Sequence, residues 1–254
     1  MTKSEQDQRG YRDLHDHLDA LRAAGLLVEV DRPIDKDSQL HPLVRWQFVG
    51  GIDEPQRKAF LFTNIVDGLG RKYDMPVVVG AIAANREIYS IGMQAPVDQI
   101  QAKWDHAIAN PIAPRVVTEA PCHEVIHEGR DLIGEGKGLD MLPIPVSTPG
   151  FDSAPTLTAT NVVTRDPVTG VQNMGTYRAA LKASDRLVVR MATRVGGAGG
   201  YQHYREHQKR GDKEMPCAIV LGCPPYVAFM GPQKLPVGVD EVAVAGGLAG
   251  APIS

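Results

Sequence analysis

Leu14, Leu18 and Leu21 repeat at i, i+4, i+7 and are followed by Gly25, which predicts an amphipathic helix over residues 11–24 closed by a glycine. Leu26 to Val30 then reads as a strand, and Pro42 to Val49 as a second helix ending at the Gly50-Gly51 pair. Two apolar triplets, Phe60 to Phe62 and Val77 to Val79, look like buried strands on either side of the turn-rich Asp67-Gly68-Leu69-Gly70. Pro96 in a first-turn position, with Val97, Ile100, Trp104 and Ile108 behind it, predicts a third helix stopped by Asn110-Pro111. Residues 1–115 are therefore expected to form an α+β domain.

The pattern then changes to short runs rich in β-branched residues. Arg115 to Glu119 and Cys122 to His127 are strand candidates, and Pro143, Pro145, Pro149 and Pro155 punctuate a linker-like stretch. Thr156 to Arg165 alternates, Asp166-Pro167-Val168-Thr169-Gly170 reads as a hairpin turn, and the chain returns as a partner strand from Asn173. Leu181 and Leu187 to Met191 continue the β texture, Tyr201 to Arg210 reads as a polar helix, and Cys217 to Leu221 as an apolar strand. Residues 116–254 are expected to be a β-rich second domain, most like a barrel.

Composition narrows the class. At 254 residues with 43% hydrophobic and 22% charged positions, the chain has the balance of a globular protein. A net charge of −3 carries no electrostatic footprint for nucleic acid or an anionic membrane. The 26 glycines and 19 prolines exceed average usage, which suggests many turns and backbone that something approaches closely. Three scattered cysteines, Cys122, Cys217 and Cys223, fit neither a disulfide framework nor a zinc ribbon. With a polar N-terminus and no apolar run near 20 residues, they point to a cytoplasmic protein with no membrane partner.

Four of the eight histidines read as ordinary ones. His15 and His17 fall on the polar side of the first helix and are expected in solvent, as are His123 and His127 beside Cys122. His203 and His207 stand at i, i+4, a chelating spacing, but the glutamate of HExxH is absent. Gly196 to Gly200 is neither a Walker loop nor GxGxxG; a flexible hairpin and a backbone surface for a cofactor both remain open. In Asn173-Met174-Gly175-Thr176-Tyr177-Arg178, strand alternation puts Asn173, Gly175 and Tyr177 on one face and Thr176 and Arg178 on the other. An asparagine carbonyl suits a hard cation and an arginine fork suits phosphate or carboxylate, although a polar edge strand would carry the same residues.

These segments together resemble the UbiD-type decarboxylases. The resemblance runs from Tyr11-Arg12-Asp13-Leu14 to the last residue and is most specific in NMGTYR (173–178), Asp185-Arg186-Leu187, Arg190-Met191-Ala192, RVGGAGGYQH (194–203), MPCAIVLGCPP (215–225), LPVGVDE (235–241) and AGGLAGAPI (245–253). It implies a carboxy-lyase that removes CO2 from an aromatic or α,β-unsaturated carboxylic acid through a covalent prenylated-FMN adduct. It also implies a split β-barrel flavin-binding domain, a flavin prenyltransferase as cofactor supplier and a homo-oligomeric full-length protein. Carried over by position, Asn173, His203 and Glu241 would ligate Mn2+, with K+ an optional further ion. Thr176, Tyr177, Arg178, Arg190, Met191, Ala192 and Gly196 would contact the prenylated flavin, and Arg178 would also act catalytically by orienting the substrate carboxylate. A second arginine of the family's glycine loop is Val195 here, with Arg194 one residue earlier. Members of the family are about twice this length and carry their proton-donating carboxylate beyond the segment matching 241–254. The chain is thus expected to be a fragment whose barrel is incomplete at the C-terminus. Two alternatives stand beside that reading: a non-catalytic cofactor-binding subunit of a multi-subunit carboxylase, and an FMN-dependent reductase-like protein.

Overall fold

Asp13 caps the first helix, α1 (Leu14–Ala23), by accepting from the Asp16 amide at 3.0 Å, and Gly25 at φ 68° releases the chain from it. In the computed structural model, which describes residues 10–193, 197–236 and 238–254, Leu18 and Leu21 of this helix pack on Leu26, Ala59, Ala84 and Ile88. His15 is in solvent as expected, but His17 is fully buried and its Nε2 bonds the Ala81 carbonyl at 2.6 Å. Ala81 and Gly92 cover the face that the i, i+4, i+7 pattern assigned to water, which corrects the expectation for His17.

Strands β1 (Leu27–Val30), β3 (Ala59–Phe62) and β6 (Val77–Val79) form one sheet, with β1 parallel and β6 antiparallel to β3. The smaller β2 (Ile34–Asp35), β4 (Ile65–Val66) and β5 (Lys72–Tyr73) form another. Helix α2 (Leu40–Val49) starts two residues earlier than its Pro42 signal and buries Leu40 and Val44 against Ile34, Phe62 and Ile65. Helix α3 (Arg86–Met93) is absent from the sequence reading. Asn85 starts it by accepting from the Ile88 amide at 2.7 Å. The helix predicted from Pro96 is α4 (Ile100–Ala109), preceded by a 3-10 turn over Val97–Gln99.

The strands expected at 115–119 and 122–127 do not form: the first segment has no ladder and Pro121–His123 is a 3-10 turn. Val116 is 95% exposed and Val125 and Ile126 are exposed too, so β-branched residues here have no neighbouring strand to pair with. Cys122, His123 and His127 lie on the surface.

From residue 156 the chain alternates as predicted, in β7 (Thr156–Leu157), β8 (Asn161–Arg165), β9 (Gln172–Gly175), β10 (Ala179–Ala183), β11 (Arg186–Val189) and β12 (Cys217–Val220). They lie in two antiparallel sheets, ordered β11-β10-β7 and β12-β8-β9, and among the described residues these do not close into a barrel. The hairpin turn between β8 and β9 is held by Asp166, whose Oδ1 accepts from Val168 N at 2.7 Å and Thr169 N at 2.9 Å. Helix α5 (Gly199–Arg210) begins within the glycine run, so Gly199 and Gly200 are helical rather than part of a hairpin.

Two further helices, the short α6 (Pro225–Ala228) and α7 (Glu241–Ala249), complete a mixed α+β architecture. Because α7 is apolar on nearly every side, it has to be buried all round. Its Gly247 lets the end of α4 approach and its Gly246 the segment just after it; a Cβ on Gly246 would stand 2.5 Å from the Ile112 carbonyl oxygen. Trp104 and Ala107 of α4 share a core with Val242, Val244 and Leu248 of α7 and with Met174, Tyr226, Phe229 and Met230. Among the described residues no helix is long and apolar enough to cross a membrane.

Candidate functional site

Strand β9 is an edge strand, so the backbone groups on its outer side need partners other than a neighbouring strand. The N-terminus of α7 supplies two of them. Glu241 Oε2 accepts a short hydrogen bond from Met174 N, and Asp240 Oδ2 accepts from Gln172 N at 3.3 Å. Asp240 also caps α7 through Ala243 N at 3.0 Å. Farther along, Thr176 N donates to the Gly231 carbonyl at 3.0 Å. Glu241 is 9% exposed, and burial pushes its carboxyl up to about 7 despite the bond from Met174 and with a further push from Asp240. Its Oε1 has no hydrogen-bond partner among the described residues.

The side chain of Asn173 projects toward the start of α5. Its Nδ2 donates to the Tyr177 hydroxyl at 3.1 Å, and its Oδ1 lies where a Cβ on Gly199 would be. Tyr177 folds back over Gly175, its ring occupying the place of any side chain there, and its hydroxyl also accepts from Gly200 N at 3.1 Å. Asn173, Gly175 and Tyr177 thus share a face. His203, in the second turn of α5, is 8% exposed and shares a 2.9 Å hydrogen bond between its Nδ1 and Thr164 Oγ1. Burial lowers its pKa, with Asp166 opposing the shift and His207 adding to it. Thr164 is the cross-strand partner of Asn173 in the β8–β9 ladder. His203 is thus linked through Thr164 to the position opposite Asn173, and Glu241 bonds the residue that follows Asn173.

That donor set suits a hard or borderline divalent ion: a carboxamide oxygen, an imidazole and a buried carboxyl that gains from a nearby positive charge. Among the described residues no group of three or more His, Cys, Asp and Glu could hold a metal, so a site here would need other donors as well, such as the Asn173 carboxamide oxygen.

The β10–β11 ladder extends one step beyond its strands through Arg190 N to the Arg178 carbonyl at 3.2 Å, which sets Arg178 and Arg190 directly opposite each other. Both side chains are exposed, and neither has an ion-pair or hydrogen-bond partner among the described residues. Like charges in a directly opposed pair are unfavourable unless an anion joins them. Met191 packs on Gly200, and the Ala192 carbonyl accepts from Ala198 N at 2.8 Å. Arg194, Val195 and Gly196 lie outside the described residues. Thr176 is exposed beside Gly231.

A cavity of about 610 Å³ lies elsewhere, lined by Lys36, Arg71, Tyr73, Asp140 and Leu181 among others, and its cations are already paired, Lys36 with Asp37 and Arg71 with Asp140. None of the candidate residues lines it. The sequence reading passed over Thr164, Asp240 and Gly231. An aspartate directly before an apolar run is an N-cap signal, and the alternation of β8 could have pointed Thr164 inward; nothing local marks Gly231.

Comparison with known proteins places these residues in context. Residues 115–254 match the model of the UbiD family, described as the 3-octaprenyl-4-hydroxybenzoate carboxy-lyase Rift-related domain. Among solved structures, an evolved dimeric form of the UbiD-class enzyme HmfF from Pelotomaculum thermopropionicum in complex with prFMN is 28% identical with a TM-score of 0.79, the match covering 95% of this chain and 52% of that one. HmfF in complex with FMN is 29% identical with a TM-score of 0.77, covering 95% and 49%. The closed form of vanillic acid decarboxylase from Sedimentibacter hydroxybenzoicus, 24% identical with a TM-score of 0.78 and covering 96% and 50%, shares the fold. The chain spans about half the length of the structures it matches.

Proposed function

Since the chain belongs to the UbiD carboxy-lyase family, we propose that it forms the cofactor-binding part of a prenylated-FMN-dependent decarboxylase acting on an aromatic or α,β-unsaturated carboxylic acid. The observation that carries this reading is the pair of exposed, unpartnered arginines, Arg178 and Arg190, at directly opposed ladder positions, in a chain whose β9 edge carries Asn173 and bonds Glu241. Arg190 supplies charge for the cofactor phosphate. Arg178, at the mouth of β10, holds a substrate carboxylate in a bidentate geometry that a lysine could not reproduce. Asn173 Oδ1, a His203 ring nitrogen and Glu241 would hold Mn2+, whose charge would offset that of the phosphate and favour the ionised form of Glu241. Backbone and side chains of Thr176, Tyr177, Met191, Ala192 and Gly196 border the ring system. Bound there, prenylated FMN supplies the electron sink for loss of CO2.

In the same reading, residues 1–115 form one unit and residues 116–254 a split β-barrel, to which β8, β9, β10, β11 and β12 contribute. A flavin prenyltransferase supplies the cofactor, and the whole protein self-associates in the cytoplasm. The HmfF match in complex with prFMN supports the cofactor assignment.

Co-expression with a flavin prenyltransferase tests the proposal. The purified chain is expected to carry the prenylated-FMN mass together with Mn2+, and Glu241→Gln to lose both. A folded chain that repeatedly retains neither would overturn the reading. Retention of cofactor without release of CO2 from aromatic acids would assign the chain cofactor binding alone, as in a multi-subunit carboxylase, whereas NAD(P)H oxidation would favour the reductase-like alternative.

A further inference from the structure

We propose that the hydroxyls of Tyr177 and Thr164 are positioning groups of the metal site, each fixing the orientation of one neutral ligand: Tyr177 that of the Asn173 carboxamide and Thr164 that of the His203 imidazole. The inference rests on the reading of Asn173, His203 and Glu241 as Mn2+ ligands and assigns roles to two residues outside that set.

A carboxamide offers an oxygen or an NH2 group, and only the oxygen can bind a cation. Asn173 commits its Nδ2 to the Tyr177 hydroxyl at 3.1 Å, which leaves Oδ1 on the opposite side. There it lies against Gly199, where any Cβ would collide with it, so no side chain at that position competes for the oxygen. Tyr177 is itself held from two directions. Gly200 N, an amide of the first turn of α5 without an intrahelical partner, donates to the same hydroxyl at 3.1 Å. The ring is confined between Gly175 and Gly200, and a Cβ on Gly200 would come within 2.9 Å of it. The phenol oxygen thus uses both acceptor sites, one for the helix and one for the carboxamide.

His203 can ligate through only one ring nitrogen once the other is engaged, and Nδ1 is engaged by Thr164 Oγ1 at 2.9 Å. Nε2 is left as the ligand. Thr164 is 2% exposed and stands directly opposite Asn173 in the ladder, so both oriented ligands depend on one cross-strand pair. Partners of this kind are worth about 10- to 100-fold in metal affinity.

The test uses the metal-free 254-residue chain titrated with Mn2+ alone, with free Mn2+ followed by electron paramagnetic resonance and the melting temperature of each variant recorded. Tyr177→Phe and Thr164→Val are each expected to raise the Mn2+ dissociation constant by about 10- to 100-fold. Thr164→Ser, which keeps the hydroxyl, should retain the wild-type constant, and Asn173→Ala should abolish the site. A purely structural role would lower melting temperatures and leave the dissociation constant of the folded chain unchanged. Tyr177→Phe removes one oxygen from a ring that stays in place, so it decides the matter if Thr164→Val does not fold. Tyr177→Phe binding Mn2+ as tightly as wild type, or more tightly, overturns the proposal. If wild type shows no Mn2+ site that Asn173→Ala removes, the ligand assignment itself fails and the positioning roles fail with it.

Discussion

His17 shows at the scale of one residue how far burial can depart from pattern. Its Nε2 is bonded to Ala81 O, its Nδ1 has no partner, and the tilted Tyr11 ring stands 5.3 Å away. Protonation would place an unpaired charge there, so burial lowers its pKa below the ordinary histidine value. A depressed histidine favours the neutral form in the folded state. Its contribution is therefore complete above about pH 6.5 and is lost as pH falls through the lowered value. Urea midpoints measured from pH 8 to pH 5 should fall more steeply for wild type than for His17→Leu, and parallel curves would refute this role. Arg178 and Arg190 are residue-scale features of the opposite kind, legible as side chains that want an anion but not as a pair. Replacing Arg190 with Ala should weaken flavin retention by a charge-assisted contact, about 1.5–3 kcal/mol, with little change in melting temperature.

The helices that pattern reading missed each have a physical reason at the scale of elements. Helix α3 spans eight residues, too few for a clear period, and its signal was the cap at Asn85. That side chain accepts from Ile88 N and donates to the Arg57 carbonyl at 2.7 Å, so Asn85→Ala should cost about 1–2 kcal/mol in chemical denaturation. Helix α7 has no polar face, and its Gly246-Gly247 pair and all-round apolar pattern give no amphipathic period. Glycine in an exposed helix gains about 1 kcal/mol on replacement by alanine. Here the sign should reverse, because the Cβ of Gly246→Ala would meet the Ile112 carbonyl, a backbone atom that cannot move aside cheaply. A lower melting temperature for Gly246→Ala is expected, and a higher one would show that there is slack between α7 and the segment around Ile112. The strands predicted at 115–119 and 122–127 fail for the converse reason: β propensity describes fit to a neighbour, and no neighbour is there.

Across the whole molecule, packing and the Arg71–Asp140 ion pair join the two halves. Trp104 of α4 and Val242 of α7 share a core. On the other side, Arg71 bonds Asp140 Oδ2 at 2.6 Å and its carbonyl at 2.9 Å, and the same loop bonds Ser184 in the β10–β11 turn. Both partners of the pair are about one-third exposed, so a double-mutant cycle at Arg71 and Asp140 should give about 0.5–1 kcal/mol, shrinking in high salt. The shared core should carry most of the coupling, and thermal unfolding is expected to be a single transition followed equally by tryptophan fluorescence, from Trp46 and Trp104, and far-ultraviolet circular dichroism. Two separated transitions would show that the units fold independently.

Periodicity, caps and turn residues act over a few positions, and for that reason the sequence alone determined most helices and strands, the Asp166–Gly170 hairpin and the ordered motifs that resemble the UbiD family. Only the tertiary structure decided which groups meet. The outer edge of β9 finds its partner in Glu241, 67 positions away, and Thr164 reaches His203 across 39. Bonds of that range leave no period in the chain. They follow from the need of each buried polar group for a partner, a condition that exists only once the elements have packed.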